Sequence, residues 1–182
     1  MEIRKLPTDR WRDYRRLRLE ALKLSPLAFG DAFEEEASSG ERTWRRYMKR
    51  VSFAMHKDEP VGMIVCAFNN GVKFRHIAEI YSFYVRPGYR REGIGRALLD
   101  HSIETAKKDK RIIKVRLYVN SCQRTAVRMY EKAGFVVTAR LEREMKVGRR
   151  LHHAGHGEGS EVTTSLSSLA QSTLCPSSYR PV

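Results

Sequence analysis

The sequence predicts a single α/β domain: helices packed on one central mixed sheet. Three observations predict it. Ile113, Val115, Leu117 and Val119 alternate with Lys114, Arg116 and Tyr118, the two-residue period of a strand. That strand lies between two segments with apolar residues at helical spacing, Leu99, Ile103 and Ala106 before it and Ala126, Tyr130 and Ala133 after it. The chain as a whole reads β-α-α-β-β-β-α-β-α-β, with no internal repeat. Its 182 residues suit one domain large enough to bury most of its apolar surface.

Glu2–Leu6 is the first expected strand. Pro7 and Thr8 open a helix with Tyr14, Leu17 and Ala21 on one face, and Pro26 and Gly30 end it. Glu34–Met48 reads as a second helix interrupted at Ser38-Ser39-Gly40, with Thr43 as the cap of its second half. The apolar runs Val51–Met55 and Val61–Phe68 flank Lys57-Asp58-Glu59-Pro60, a hairpin signal. Asn69-Asn70-Gly71 turns the chain into a long strand that ends in Ile77–Val85 and is stopped by Pro87-Gly88. Gly95–Lys108 is expected as a helix. The alternating strand comes next, and then a helix over Ser121–Ala133 with Gly134 just past its end. Phe135–Lys146 is expected as a further strand.

From about Ala154 the composition changes: Ser and Thr dominate and apolar periodicity fades. The reading is a domain over 1–151 and a disordered tail over 152–182. Codons compatible with Ala154–Thr163, shifted by one base, permit Leu-Val-Met-Val-Lys-Val-Leu-Arg and then a stop. The tail is therefore read as a frameshift product, replacing a final apolar strand that the sheet would then lack. Loss of that strand would expose an edge and apolar surface, with a homodimer, aggregation or a weakened acceptor site as the expected result.

Lys and Arg number 35 against 21 Asp and Glu, a net charge of +14 spread along the chain. Such a surface attracts polyanions, or is simply a solvated basic surface. No helix-turn-helix, RNP or finger signature accompanies it, so nucleic acid is not the expected partner. Neither a membrane span nor a signal peptide is expected. Cys66, Cys122 and Cys175 have no metal-ligand spacing and are odd in number, which suits a reducing cytoplasm. His152, His153 and His156 stand together without acidic partners, and no metal is expected there.

The chemistry concentrates where the long strand meets the next helix, through Val85-Arg86-Pro87-Gly88-Tyr89-Arg90-Arg91-Glu92-Gly93-Ile94-Gly95-Arg96. A helix N-terminus presents unpaired N–H groups and partial positive charge. Gly93 and Gly95 keep side chains out of the way, and Arg90, Arg91 and Arg96 add full charges. The junction reads as a pyrophosphate cradle. It lacks the Walker GxxxxGK[ST] pattern, and Leu98 stands where the dinucleotide fingerprint needs glycine.

Arg90-x-x-Gly93-x-Gly95 resembles the Arg/Gln-x-x-Gly-x-Gly/Ala signature of the GNAT superfamily of N-acetyltransferases. Asn120, Ala126, Tyr130 and Gly134-Phe135 are similar to that family's pattern after its fifth strand. Arg18–Leu22 and Pro26–Phe29 resemble its N-terminal helix region. The likeness runs from Met1 to about Arg150 and implies the GNAT fold with acetyl-CoA as co-substrate. It implies that backbone N–H groups of Arg91, Glu92, Gly93, Ile94 and Gly95 hold the pyrophosphate, with Arg90 and Arg96 nearby. It also implies that pantetheine lies between diverging strands, beside the backbone of Phe83 and Val85, where a bulge N–H polarises the thioester carbonyl.

Amine acetylation needs a neutral amine and a protonated leaving thiol. Glu79, flanked by Ile77, Ile80 and Phe83, is the candidate base, placed where some family members carry a catalytic glutamate. The alternatives are a solvated strand glutamate and a water relay. Tyr130 is the candidate proton donor to the thiolate, or else a core tyrosine. Asn120 either holds the pantetheine amide or caps the next helix. The expected activity is direct transfer of acetyl to a primary amine: a protein N-terminus, a lysine, a polyamine or a small amine. The competing expectation is a non-catalytic acyl-CoA or polyanion-binding module on the same fold.

Overall fold

The computed structural model describes residues 1–142 and the strand backbone of 146–147, 150–151 and 160–166. β1 (Glu2–Arg4) runs through a short 3-10 turn into α1 (Trp11–Leu24). Two short helices come next, α2 (Phe33–Ala37) and α3 (Glu41–Met48). The hairpin is β2 (Val51–His56) and β3 (Glu59–Phe68), and β4 is Ile77–Val85. Beyond it lie α4 (Ile94–Lys107), β5 (Lys114–Asn120), α5 (Arg124–Lys132) and β6 (Val136–Glu142). Two short strands, β7 (Lys146–Val147) and β8 (Arg150–Leu151), pair with each other, and β9 is Ser160–Leu166.

Three local expectations are corrected. Gly40, extended at ψ 167°, stands at the start of α3, which leaves Thr43 inside the first turn rather than capping it. α5 starts at Arg124, because the Asn120 side chain accepts the Cys122 N–H at 3.0 Å and holds the chain in a turn. Ile113 precedes β5 and is exposed, while Ile112 takes the buried place.

Seven strands form one sheet in the order β1-β2-β3-β4-β5-β9-β6. Neighbours are antiparallel except β4 and β5, which run parallel. Alternation in β2 and β3 sends Phe53, Met55, Met63 and Val65 to one face, against Tyr14, Leu17, Trp44 and Met48 of α1 and α3. Ala54, Ile64, Ala78 and Ile80 face the other way, onto Leu98, Leu99 and Ile103 of α4. The apolar stripes read from the sequence thus form two cores, one on each side of the sheet.

The expectation that no strand succeeds Leu151 is also corrected. β9 lies between β5 and β6, with Val162 opposite Val119 and Arg140, and Thr164 opposite Leu117 and Val137. Val162, Thr163 and Thr164 are β-branched, which suits a pleated strand, and the segment pairs ladder groups on both neighbours. Residues 152–159 and 167–182, which include the rest of the expected tail, lie outside the described residues, as do the three histidines.

Candidate active site

β4 carries the site. Its pairing with β3 skips from Tyr84 opposite Met63 to Tyr81 opposite Val65, one extra residue on β4. Ser82 occupies that bulge at φ 51°. A bulge bends the strand and re-aims the residues beyond it. On the other edge, the parallel pairing with β5 starts at Ile77 opposite Lys114 and ends at Ile80 opposite Leu117. From Tyr81 onward β4 leaves β5, and a cleft opens between them.

The loop after β4 ends at the start of α4. Arg91 at φ 69° and Gly93 at φ 79° make two left-handed turns that deliver the chain to Ile94, and among the described residues no side chain caps the helix. The first N–H groups of α4 therefore have no intrahelical acceptor. Among the described residues, nothing lies within 4 Å of where a Gly93 Cβ would stand. A Cβ on Gly95 would sit 3.5 Å from both the Phe83 ring and Met129 Sδ and 3.9 Å from Val85, narrowing the space between β4 and α5. Ile94 is buried in the core, and Glu92 is exposed.

The three arginines of the cradle part company. Arg90 turns back: its Nε donates to the Val85 carbonyl at 2.9 Å, and its guanidinium lies 5.7 Å from the Tyr84 ring centre. Arg96 donates to Asp100 at 2.8 and 2.9 Å, one helical turn on. Arg91 is exposed, with no side-chain partner among the described residues. Arg91 is thus left exposed, while Arg90 and Arg96 are engaged by the protein.

Tyr130 projects from α5 into the core, 6% exposed, with its ring 6.1 Å from Phe83 and 5.9 Å from Phe135. Burial pushes its phenol well above the ordinary value, so it keeps its proton at neutral pH. Its hydroxyl has no hydrogen-bond partner among the described residues. Asn120 is buried, and its Oδ1 is taken by the Cys122 N–H.

Glu79 does not meet the apolar surroundings expected of it. It stands opposite Arg116 in the β4–β5 register, and Arg116 Nε donates to its Oε1 at 2.6 Å. The cross-strand pair forms because parallel register brings residues 79 and 116 side by side, a neighbour that local spacing does not reveal.

A cavity of about 340 Å³ opens beside the bulge, lined by Arg18, Asp31, Glu35, Glu36, Tyr81 and Ser82 among others. Sequence patterns assigned none of these six to the site. One signal was legible: Arg18 falls in the buried stripe of α1 with Tyr14, Leu17, Ala21 and Leu22, and a charge in an apolar stripe needs a partner.

The fold is a mixed sheet that splits between two parallel strands, with a helix N-terminus, uncapped by any described side chain, at the mouth of the split. The acetyltransferase (GNAT) family model matches residues 9–135, and the chain belongs to that family. An uncharacterised N-acetyltransferase of Methanocaldococcus jannaschii is 39% identical over 79 residues, 42% of this chain. The match spans 34% of that relative's length. Among solved structures, YncA of Salmonella typhimurium, held with its cofactor acetyl-CoA, superposes with a TM-score of 0.76 at 18% identity, covering 98% of this chain and 99% of that one. A GNAT-family acetyltransferase of Streptococcus pneumoniae gives 0.75 at 17% identity, over 91% and 97% of the two chains. A ribosomal-protein-alanine N-acetyltransferase of Brucella melitensis gives 0.72 at 19%, over 92% and 99%. These likenesses show the fold.

Proposed function

We propose that the chain transfers acetyl from acetyl-CoA to a primary amine by direct attack, without an acyl-enzyme. The observation that carries the reading is the position of Tyr130, 6.1 Å from Phe83 where β4 has just left β5. A buried, protonated phenol with no hydrogen-bond partner among the described residues, beside the split between β4 and β5, suits proton donation. The cradle fits the co-substrate: among the described residues, Gly93 leaves open space before the first N–H groups of α4.

Acetyl-CoA, when bound, supplies an activated acetyl thioester. The backbone N–H groups of Arg91, Glu92, Gly93, Ile94 and Gly95, with the Arg91 guanidinium, would hold its pyrophosphate. The backbone of Phe83, beyond the point where β4 leaves β5, and the Asn120 side-chain nitrogen would hold the pantetheine arm, while the Val85 carbonyl is already taken by Arg90. The carbon–sulfur bond breaks as the carbon–nitrogen bond forms. The amine gives up one proton, and Tyr130 Oη supplies one to the departing sulfur. Glu79 would receive the amine's proton at Oε2, the oxygen not engaged by Arg116, by way of water.

Thiol release from acetyl-CoA, measured with and without a panel of amines, tests this. Release that depends on the amine, with N-acetylated product, is expected. Binding of CoA without amine-dependent release would instead favour an acyl-CoA-binding module.

A further inference from the structure

The cavity beside the bulge bears on the acceptor, and the inference rests on the acetyl-transfer reading. Arg18 is 2% exposed. Its Nε donates to both oxygens of Glu36, at 3.0 and 3.1 Å, and its Nη2 donates to Glu36 at 2.7 Å. Nη2 also donates to a single oxygen of Asp31, at 2.5 Å. Nη1 is buried and has no hydrogen-bond partner among the described residues.

The two edges of this guanidinium therefore differ. Glu36, whose side chain is 14% exposed, grips the inner edge through Nε and Nη2. Asp31, whose side chain is 62% exposed, touches the terminal edge through Nη2 alone. A terminal guanidinium edge matches a carboxylate through two parallel hydrogen bonds, and a buried donor left unmatched is costly. Asp31 sits on the linker between α1 and α2 and can swing to solvent. At the same cavity Glu35 is exposed, with no side-chain partner among the described residues, and Ser82 marks the bulge where β4 leaves the sheet.

We propose that the acceptor is a free amino acid. Its carboxylate displaces Asp31 and spans Nη1 and Nη2 of Arg18, and its amine points toward the Ser82 bulge. One carboxylate replaces another, so the charge around Arg18 does not change. Glu35 draws the ammonium form of the amine into the cavity. The volume of about 340 Å³ lies within the range of small-molecule sites.

The test uses matched acceptors: leucine, methionine, phenylalanine and glutamate, each with its amide, its decarboxylated amine and a dipeptide that it begins. For the best-used amino acid, kcat/KM should exceed those of the three matched compounds by about tenfold or more, as expected for a charge-assisted pair. Asp31→Asn should lower the KM for that amino acid more than the KM for its decarboxylated amine. Arg18→Lys, if folded, should abolish the preference. An amine, amide or dipeptide used as well as the free amino acid overturns the proposal. So does an Asp31→Asn enzyme whose amino-acid KM is unchanged or raised. Failure to acetylate any amine at all overturns the acetyl-transfer reading instead.

Discussion

Tyr130 shows how one side chain can be tested for chemistry apart from packing. Its ring fills the space between Phe83 and Phe135, while its hydroxyl has no partner to lose among the described residues. Tyr130→Phe keeps the ring and should leave both the melting temperature and CoA affinity nearly unchanged. Turnover should fall by about 10²–10⁴ if the hydroxyl delivers the proton. Wild-type turnover in that variant would return Tyr130 to a packing role. For Glu79 the question is whether a carboxylate held by Arg116 takes part in proton removal at all. Glu79→Gln should move the basic pH needed for turnover upward, and an unchanged pH profile would point to water alone.

The junction of β4 with α4 makes its prediction through backbone geometry. Gly93 at φ 79° lies in a region where a side chain costs about 1–2 kcal/mol, so any substitution there is strained. Gly93→Ala adds that strain without charge, whereas Gly93→Glu also places a carboxylate in the open space before the helix. Acetyl-CoA at about 100 times its Kd should stabilise the wild-type fold by ~2.7 kcal/mol. The alanine variant should retain a thermal shift with acetyl-CoA and the glutamate variant should lose it. Equal shifts in both would place the pyrophosphate elsewhere. β9 makes a second prediction for an element. Hydrogen exchange should show Val162 and Thr164 protected alongside Val119 and Leu117, their partners in β5. Free exchange over 160–166 would instead support the tail reading, and the coding DNA tests its frameshift origin.

For the whole molecule, three tyrosines are tied to the folded state. Burial pushes the phenols of Tyr14 and Tyr130 upward, and burial with a hydrogen bond to Glu20 pushes Tyr84 up to about 12. An unfolded tyrosine ionises near ~10. Between these values the unfolded chain has lost protons that the folded one keeps, so stability falls as pH rises. The contribution of Tyr84 is complete below about pH 10 and is lost as pH rises through about 12. At about pH 11 the folded protein should show phenolate absorbance short by three tyrosines, recovered on adding denaturant. Full absorbance without denaturant would mean that these rings are open to solvent.

Much of this protein is settled within a few residues of chain. Period-two alternation in 113–119 and the helical stripes of 94–107 and 124–132 mark their elements because backbone geometry makes side chains face alternately or every third to fourth place. The glycine-bearing turn at 90–95 is legible for the same reason, since left-handed backbone at the start of a helix calls for glycine there. What the tertiary structure alone decided are pairings between distant positions. Register across β4 and β5 put Arg116 on Glu79, and the fold turned Arg90 onto Val85. Packing of α2 against α1 joined Glu36 to Arg18, and a polar segment lay down between β5 and β6. These contacts depend on which strand edge or helix face is left unpaired once the chain has closed on itself, and no local period carries that information.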